Sequence, residues 1–163
     1  MGRALPTVNT AQRPPLILIA DDTDVSRALL RRMLVRTGFR TLLAEDGAHA
    51  IALAEKRRPN MLLLDLRLTD IDGSAVLSHL RDTFDAVTLP IIMVSAEHDG
   101  EVIAACLGLG ANDFVTKPIH FPTLRARMET HLRVQAARAA LGDLPEILPP
   151  SAHASAGFAP QRP

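Results

Sequence analysis

The chain has little of three things that define large classes of protein. Its single cysteine, Cys106, cannot form a disulfide within the chain, which excludes a disulfide scaffold and suits a reducing compartment. Its 18 basic and 18 acidic residues cancel, so net charge favours neither nucleic acid nor an anionic membrane as partner. No apolar stretch approaches the roughly 20 residues of a membrane span, and no signal peptide precedes the first apolar run. We therefore expect a cytoplasmic protein that neither binds nucleic acid directly nor enters a membrane.

The two ends of the chain differ in composition from its middle. Residues 1–14 carry prolines and no apolar periodicity, which predicts a flexible leader. Residues 142–163 are rich in proline, alanine and serine and lack an apolar face, which predicts a disordered tail or linker. At 163 residues the chain has room for one domain, which we expect at residues 15–141.

The middle of the chain alternates short apolar runs with segments of helical periodicity, five times over. The apolar runs predict buried parallel strands at residues 16–20, 61–64, 91–94 and 113–116, and a further strand is expected near residues 40–44. The segments between and after them predict five helices, the last from Pro122 to Leu141 with one apolar stripe formed by Leu124, Met128, Leu132 and Ala136. Right-handed crossovers that cover both faces give an α/β fold, a doubly wound five-stranded parallel sheet with five helices.

Polar side chains follow four of the predicted strands at the point where each strand ends. They are Asp21, Asp22, Asp65, Ser95 and Lys117. The carboxyl ends of parallel strands meet at one edge of the sheet, so these side chains should share a cleft. Neighbouring carboxylates repel one another unless a cation lies between them, and Mg²⁺ prefers hard oxygen ligands. The sequence therefore predicts a site for a divalent cation and a phosphoryl group, in which a carboxylate can attack phosphorus.

The same residues resemble those of a known family. Five short motifs occur in the order and on the element ends typical of the receiver domain of bacterial two-component response regulators: Asp21-Asp22, Asp65, Asp72-Gly73, Ser95 and Lys117-Pro118. The resemblance covers roughly residues 15–140. It implies a flavodoxin-like sheet with the strand order 2-1-3-4-5.

The resemblance implies a chemical role for the acidic residues. Asp65 is expected to accept a phosphoryl group from a histidine kinase or a histidine phosphotransfer protein. Mg²⁺, with Mn²⁺ as a substitute, is expected to bind Asp22 directly, Asp21 mostly through water, Asp65, and the backbone carbonyl of Arg67. The chain is then not an enzyme but a phosphoacceptor signalling domain, which catalyses only its own phosphotransfer and dephosphorylation.

The resemblance also implies a switch. Lys117 and Ser95 are expected to bind the phosphoryl group, and Phe114 to turn inward as the Ser95 loop closes. The face formed by the fourth helix, the last strand and the last helix would then change, and a downstream protein or a fused output domain would bind it. Arg67 and Glu97 are expected to tune the rate of dephosphorylation.

Other positions extend the family pattern or depart from it. The peptide bond before Pro118 is expected to be cis, as in the family. Leu68-Thr69 stands where the family often has Met-Pro, which is expected to loosen that loop. The last helix carries a stripe suited to a helical connector or a homodimer seam: Arg133, Val134, Ala137, Arg138 and Leu141.

Two alternative functions stay open. A domain of receiver fold can be a docking module that is not phosphorylated, although its usual mark, the loss of an acid or of the lysine, is missing here. Asp22-Thr23-Asp24-Val25 also resembles the motif of haloacid-dehalogenase-like phosphatases, in which Asp22 would be the nucleophile and Asp24 the acid. That interpretation lacks a later acidic pair and leaves Asp65 without a role.

Overall fold

The computed structural model describes residues 13–142, in which five strands form a single sheet. The strands are β1 (Leu16–Ala20), β2 (Arg40–Ala44), β3 (Met61–Leu64), β4 (Ile91–Ser95) and β5 (Asp113–Thr116). Every neighbouring pair is parallel, and the order across the sheet is β2-β1-β3-β4-β5. The predicted fold class, strand number and strand order are confirmed.

Five helices alternate with the strands and cover both faces of the sheet. They are α1 (Asp24–Arg36), α2 (Gly47–Arg57), α3 (Gly73–Thr83), α4 (Gly100–Gly108) and α5 (Phe121–Gly142). The buried residues of α2, α3 and α4 form one apolar cluster with the sheet, and those of α1 and α5 form a second cluster on the opposite face. The domain is therefore the doubly wound sandwich that the sequence predicts.

The central strands are apolar at every position because both of their faces are covered. In β1, Leu18 and Ala20 belong to the cluster under α2, α3 and α4, whereas Ile17 and Ile19 belong to the cluster under α1 and α5. Successive side chains of a strand point to opposite faces, so a strand covered on both sides has no position for a polar residue. Polar side chains become possible only where the strand ends, which places the reactive groups at the edge.

Aspartates fix the starts of three helices. Asp46, Asp72 and Asp99 precede α2, α3 and α4, and each accepts a backbone N–H from the first turn of its helix at 2.7 to 2.9 Å. These bonds satisfy donors that have no partner inside the helix. Each cap therefore determines where the loop from the carboxyl edge of the sheet ends and the helix begins.

The last helix extends beyond the sheet. With 22 residues, α5 is about 33 Å long, whereas strands of four or five residues span only about 15 Å. Leu124 and Met128 are fully buried against the sheet and Leu132 is partly buried. The expectation that Ala136 continues this buried stripe is wrong: Ala136 is exposed, because the helix has passed the end of the sheet there.

The predicted leader and tail fall almost entirely outside the described residues, and both stay predictions. Within residues 13–142, no helix combines the length and the apolar composition that crossing a membrane requires.

Candidate functional site

Three carboxylates meet at the carboxyl edge of the sheet. One oxygen from each of Asp21, Asp22 and Asp65 lies within 4.8 Å of the others. The sheet explains this proximity, because Ala20 of β1 is paired with Leu64 of β3 and the aspartates follow directly. The backbone N–H of Asp65 also bonds the carbonyl of Ala20 at 2.8 Å. The sequence reasoning therefore identified a group of acids that the structure brings together.

Lys117 connects two of these carboxylates. Its Nζ lies 2.7 Å from Oδ2 of Asp21 and 2.6 Å from Oδ2 of Asp65, both of which are buried. Its backbone N–H bonds the carbonyl of Ser95 at 2.8 Å, and the following bond to Pro118 is cis. Burial alone would lower the pKa of the lysine, but its hydrogen bonds to the two carboxylates outweigh burial and raise it. Lys117 is therefore a fixed positive charge beside Asp65.

Asp21 and Asp22 occupy different environments. Asp21 is 2% exposed, and both of its carboxylate oxygens have a donor, Lys117 on one side and the backbone N–H of Thr23 at 2.9 Å on the other. Asp22 is exposed and accepts the hydroxyl of Thr23 at 3.2 Å. Three carboxylates with one ammonium leave the cleft with excess negative charge on hard oxygen donors. This donor set fits a divalent cation of the Mg²⁺ type.

Ser95, Arg67 and Glu97 lie around the same cleft. Ser95 ends β4 and is 1% exposed, and its Oγ accepts the backbone N–H of Glu97 at 3.4 Å. The guanidinium of Arg67 lies 3.3 Å from the Glu97 carboxylate and so links the loop after β3 to the loop after β4. Hydrogen bonds from the backbone N–H groups of Asp99 and His98 hold the pKa of Glu97 below its usual range, and Arg67 adds a smaller effect in the same direction. The sequence reasoning named both residues but did not predict their ion pair.

Phe114 lies on the side of the sheet that α4 covers. It is paired with Met93 of β4, and its ring is buried in the apolar cluster that also contains Cys106. A cavity of about 250 Å³ adjoins the ring and is lined in part by Ile103 and Pro118. The ring is thus buried in this conformation, with free volume beside it.

The β3–α3 loop contains a contact that the sequence reasoning missed. Asp70 accepts the backbone N–H groups of Gly47 and Ala48 at 2.7 and 2.8 Å, at the start of α2. The Asp70 carboxylate therefore ties this loop to a helix, and the expectation that Leu68-Thr69 loosens the loop's geometry stays a prediction. The sequence does show an acidic residue, Asp70, in the loop that follows Asp65. It gives no indication of the partner, because Gly47 lies 23 residues away in sequence.

The phosphatase alternative requires Asp24 as an acid in the cleft. The side chain of Asp24 is instead 93% exposed at the start of α1, where it forms an ion pair with Arg27 of the same helix. Arg27 also donates to the backbone carbonyl of Asp21 at 2.5 Å. Asp24 therefore contributes to the first turn of α1, and the structure gives the phosphatase interpretation no support.

Comparison with known proteins gives a consistent result. A family model described as the response regulator receiver domain matches residues 17–129. The chain is 38% identical over 120 residues to the response regulator MprA of Mycobacterium sp. (strain KMS), a match that covers 74% of this chain and 51% of MprA. It is also 38% identical over 120 residues to the transcriptional regulatory protein AfsQ1 of Streptomyces coelicolor, covering 74% of this chain and 52% of AfsQ1.

Solved structures agree with this comparison at the level of the fold. A response regulator receiver domain protein (CheY-like) from Methanospirillum hungatei JF-1 superposes with a TM-score of 0.72 at 23% identity, covering 77% of this chain and 98% of that one. The chain spans about half the length of the curated relatives that it matches. The family match extends over most of the chain and includes every residue of the acidic cleft. The chain therefore belongs to the response regulator receiver domain family.

Proposed function

We propose that this domain accepts a phosphoryl group on Asp65 from a histidine kinase or a histidine phosphotransfer protein, in a reaction that depends on Mg²⁺. The observation that carries the proposal is the position of Lys117, whose Nζ lies 2.6 Å from Asp65 within a group of three carboxylates. A buried carboxylate beside a fixed ammonium combines a nucleophilic oxygen with a positive charge that can stabilise the transferred group.

The proposed step transfers one phosphoryl group between two side chains. An Asp65 carboxylate oxygen forms a bond to phosphorus, the bond from phosphorus to the partner's imidazole nitrogen breaks, and its electron pair leaves with the imidazole. The product is an acyl phosphate. Lys117 is placed to donate to one phosphoryl oxygen, and the hydroxyl of Ser95 is the proposed donor to another. Hydrolysis by water would return the carboxylate and release inorganic phosphate.

Mg²⁺, or Mn²⁺ in its place, would lower the negative charge that the phosphoryl group meets in this cleft. We assign Asp22 as a direct ligand because its carboxylate is exposed at the edge of the cluster. We assign Asp21 to bind the cation mostly through water, since both of its carboxylate oxygens already accept hydrogen bonds. Asp65 and the backbone carbonyl of Arg67 complete the proposed set of ligands.

We propose that phosphorylation of Asp65 changes the position of α4 and of the residues that contact it. Cys106 is the one fully buried residue of α4, whereas β4 beneath it is buried throughout. Cavities of about 330 and 250 Å³ lie on the two sides of the helix, the first lined in part by Arg67 and Val102 and the second in part by Phe114. A helix with few buried residues and an open cleft on each side can change position at low cost in free energy. Movement of the Ser95 loop and a changed Phe114 position would alter the face formed by α4, β5 and α5.

We propose α1 as part of the surface that binds the phosphoryl donor. Val25, Leu29 and Val35 are between 49% and 75% exposed, and α1 begins directly beside Asp22 and Thr23. Exposed apolar side chains next to a reactive cleft are typical of protein-binding surfaces. A downstream protein or a fused output domain would read the opposite, α4-containing side.

Mass spectrometry of the intact protein tests the proposal. The protein is incubated with acetyl phosphate and Mg²⁺, and we expect one phosphoryl adduct that hydroxylamine removes. Asp65→Asn should remove the adduct, whereas Asp99→Asn, which changes another aspartate that follows the sheet edge, should retain it. Failure of the wild type to form an adduct, with Mg²⁺ binding shown separately, would favour the docking-module alternative. An adduct that persists in Asp65→Asn but disappears in Asp22→Asn would revive the phosphatase alternative.

A further inference from the structure

A contact beside the cleft involves residues that the proposed reaction leaves without a role. In the β3–α3 loop, Oδ1 of Asp70 accepts the N–H of Gly47 at 2.7 Å, and its Oδ2 accepts the N–H of Ala48 at 2.8 Å. These hydrogen bonds hold the pKa of Asp70 below its usual range, and the bond from Gly47 has the largest effect. Both carboxylate oxygens therefore bind the first turn of α2, the helix that precedes the loop's own strand.

Ile71 adds an apolar contact at the same place. A Cβ added to Gly47 would lie 2.3 Å from Cγ1 of Ile71 and 2.8 Å from Cγ2 of Val76, which is closer than real side-chain atoms approach. The glycine thus leaves the space into which Ile71 packs. We call the contacts of Asp70 and Ile71 with the start of α2 the loop clip.

The rest of the same loop is fixed to the phosphoacceptor. The backbone N–H of Arg67 donates to Oδ1 of Asp65 at 3.1 Å, and the N–H of Gly73 donates to the carbonyl of Leu66 at 2.6 Å. A Cβ at Gly73 would lie 2.2 Å from the carbonyl oxygen of Asp65, so the loop returns against the backbone of the acceptor. The base of the loop is closed, and the loop clip holds its middle.

The loop clip therefore joins the two loops that border the acidic cleft. The start of α2 follows β2, whose Ala44 carbonyl accepts the N–H of Asp21 at 3.3 Å. We propose that Asp70 and Ile71 are positioning residues that hold the backbone of Arg67 where its carbonyl can bind the divalent cation. This inference rests on the proposed function above, and it assigns a role to two residues that do not bind the metal themselves. Partners that orient a ligand typically change metal affinity by about 10- to 100-fold when they are lost.

Direct titration of Mn²⁺ by electron paramagnetic resonance measures metal affinity without any phosphotransfer. We expect Asp70→Asn to raise the Kd for Mn²⁺ about tenfold. Asp46→Asn is the matched control, because Asp46 also caps α2, through the N–H of His49 at 2.7 Å, and loses the same charge at the same helix end. Both variants should lose similar thermal stability, but Asp46→Asn should keep a Kd close to that of the wild type.

Gly47→Ala tests the loop clip from the side of α2 and without a change in charge. The added methyl group meets Ile71 and Val76 and therefore costs stability in either case, but a merely structural role predicts an unchanged Kd. The loop clip predicts a raised Kd for Mn²⁺, because the added methyl group displaces Ile71. Equal Kd values for Asp70→Asn, Asp46→Asn and Gly47→Ala would overturn the inference, and Gly47→Ala decides it if Asp70→Asn does not fold. A wild type that binds no Mn²⁺ would instead reject the proposed metal site itself.

Discussion

Replacing Lys117 by glutamine should destabilise the fold strongly, even though the residue lies in the proposed phosphoryl-binding site. The ammonium lies between Oδ2 of Asp21 and Oδ2 of Asp65, and the side chains of these aspartates are only 3% and 9% exposed. Glutamine retains most of the length of lysine and a hydrogen-bond donor, but it removes the charge. Two buried carboxylates would then lie side by side without the cation that separates them.

The size of the effect follows from the geometry. Carboxylate oxygens within 4.8 Å of one another repel by at least about 3 kcal/mol at an effective dielectric constant of about 20, and the Lys117 ammonium offsets this repulsion. Removing one partner of a buried ion pair typically costs about 3 to 5 kcal/mol, which agrees with this value. For a domain of this length, a loss of about 3 kcal/mol lowers the melting temperature by roughly 10 °C.

Thermal unfolding followed by far-ultraviolet circular dichroism, in buffer with a chelator, measures this difference. Lys56→Gln is the matched control, because Lys56 is the chain's other lysine and is exposed on α2. The double variant Asp65→Asn, Lys117→Gln should recover most of the lost stability, since one of the repelling charges is then also removed. If Lys117→Gln melted at the temperature of Lys56→Gln, or if the double variant recovered nothing, the electrostatic account of the cleft would be refuted.

Three further predictions concern other parts of the domain. Arg81 donates to three backbone carbonyls and to one side-chain amide, so Arg81→Met should cost about 2 kcal/mol of unfolding free energy in urea titrations, since buried acceptors lose their donor. If Arg81→Met unfolded with the same free energy as the wild type, this prediction would be contradicted. Hydrogen bonds from the backbone N–H of Thr88 and, with a smaller effect, from the guanidinium of Arg138 lower the pKa of Asp85 on folding. Its carboxylate therefore stabilises the fold above a pH of about 4, and the stability difference between wild type and Asp85→Asn should shrink as the pH falls below that value. Glu97→Ala breaks the ion pair between the two loops and should shorten the acyl-phosphate lifetime several-fold by admitting water, whereas Glu101→Ala on α4 should not.

The sequence predicted the fold and the acidic cleft because both depend on local patterns. Apolar runs placed β1, β3 and β4, and the more mixed strands β2 and β5 also have the predicted bounds at residues 40–44 and 113–116. Parallel topology then brings every strand end to one edge, so the positions of Asp21, Asp65 and Lys117 followed without any knowledge of side-chain contacts. The chemistry of these residues needs proximity, and the sheet alone supplies it.

The sequence could not predict contacts between side chains and distant backbone groups. Asp70 binds the start of α2, and Arg81 binds the carbonyl of Gly110 and the side chain of Asn112, which lie 29 and 31 residues away. Polar residues of this kind have many alternative partners in an unfolded chain, and periodicity contains no information about which partner a loop brings near. The same limit applies to Arg138, which we predicted on a dimer seam but which binds Asp85 of its own domain. A homodimer through α5 stays a prediction, and its seam would then have to use Val134 and Leu141, which are exposed.

The two edges of the sheet differ in a way that suits a switch. At the amino edge, Asn60 and Asn112 accept the backbone N–H groups that begin β1 and β4, and Gln135 donates to the backbone carbonyls of Asn60 and Thr88. At the carboxyl edge, three carboxylates share one ammonium, and α4 lies between two cavities. A hydrogen-bonded polar network resists local opening, whereas excess charge makes the opposite edge responsive to a change of one bound group. We therefore expect hydrogen exchange to be slowest in β1, β3 and β4 and fastest in α4. Slow exchange throughout α4 would place the proposed switch elsewhere in the domain.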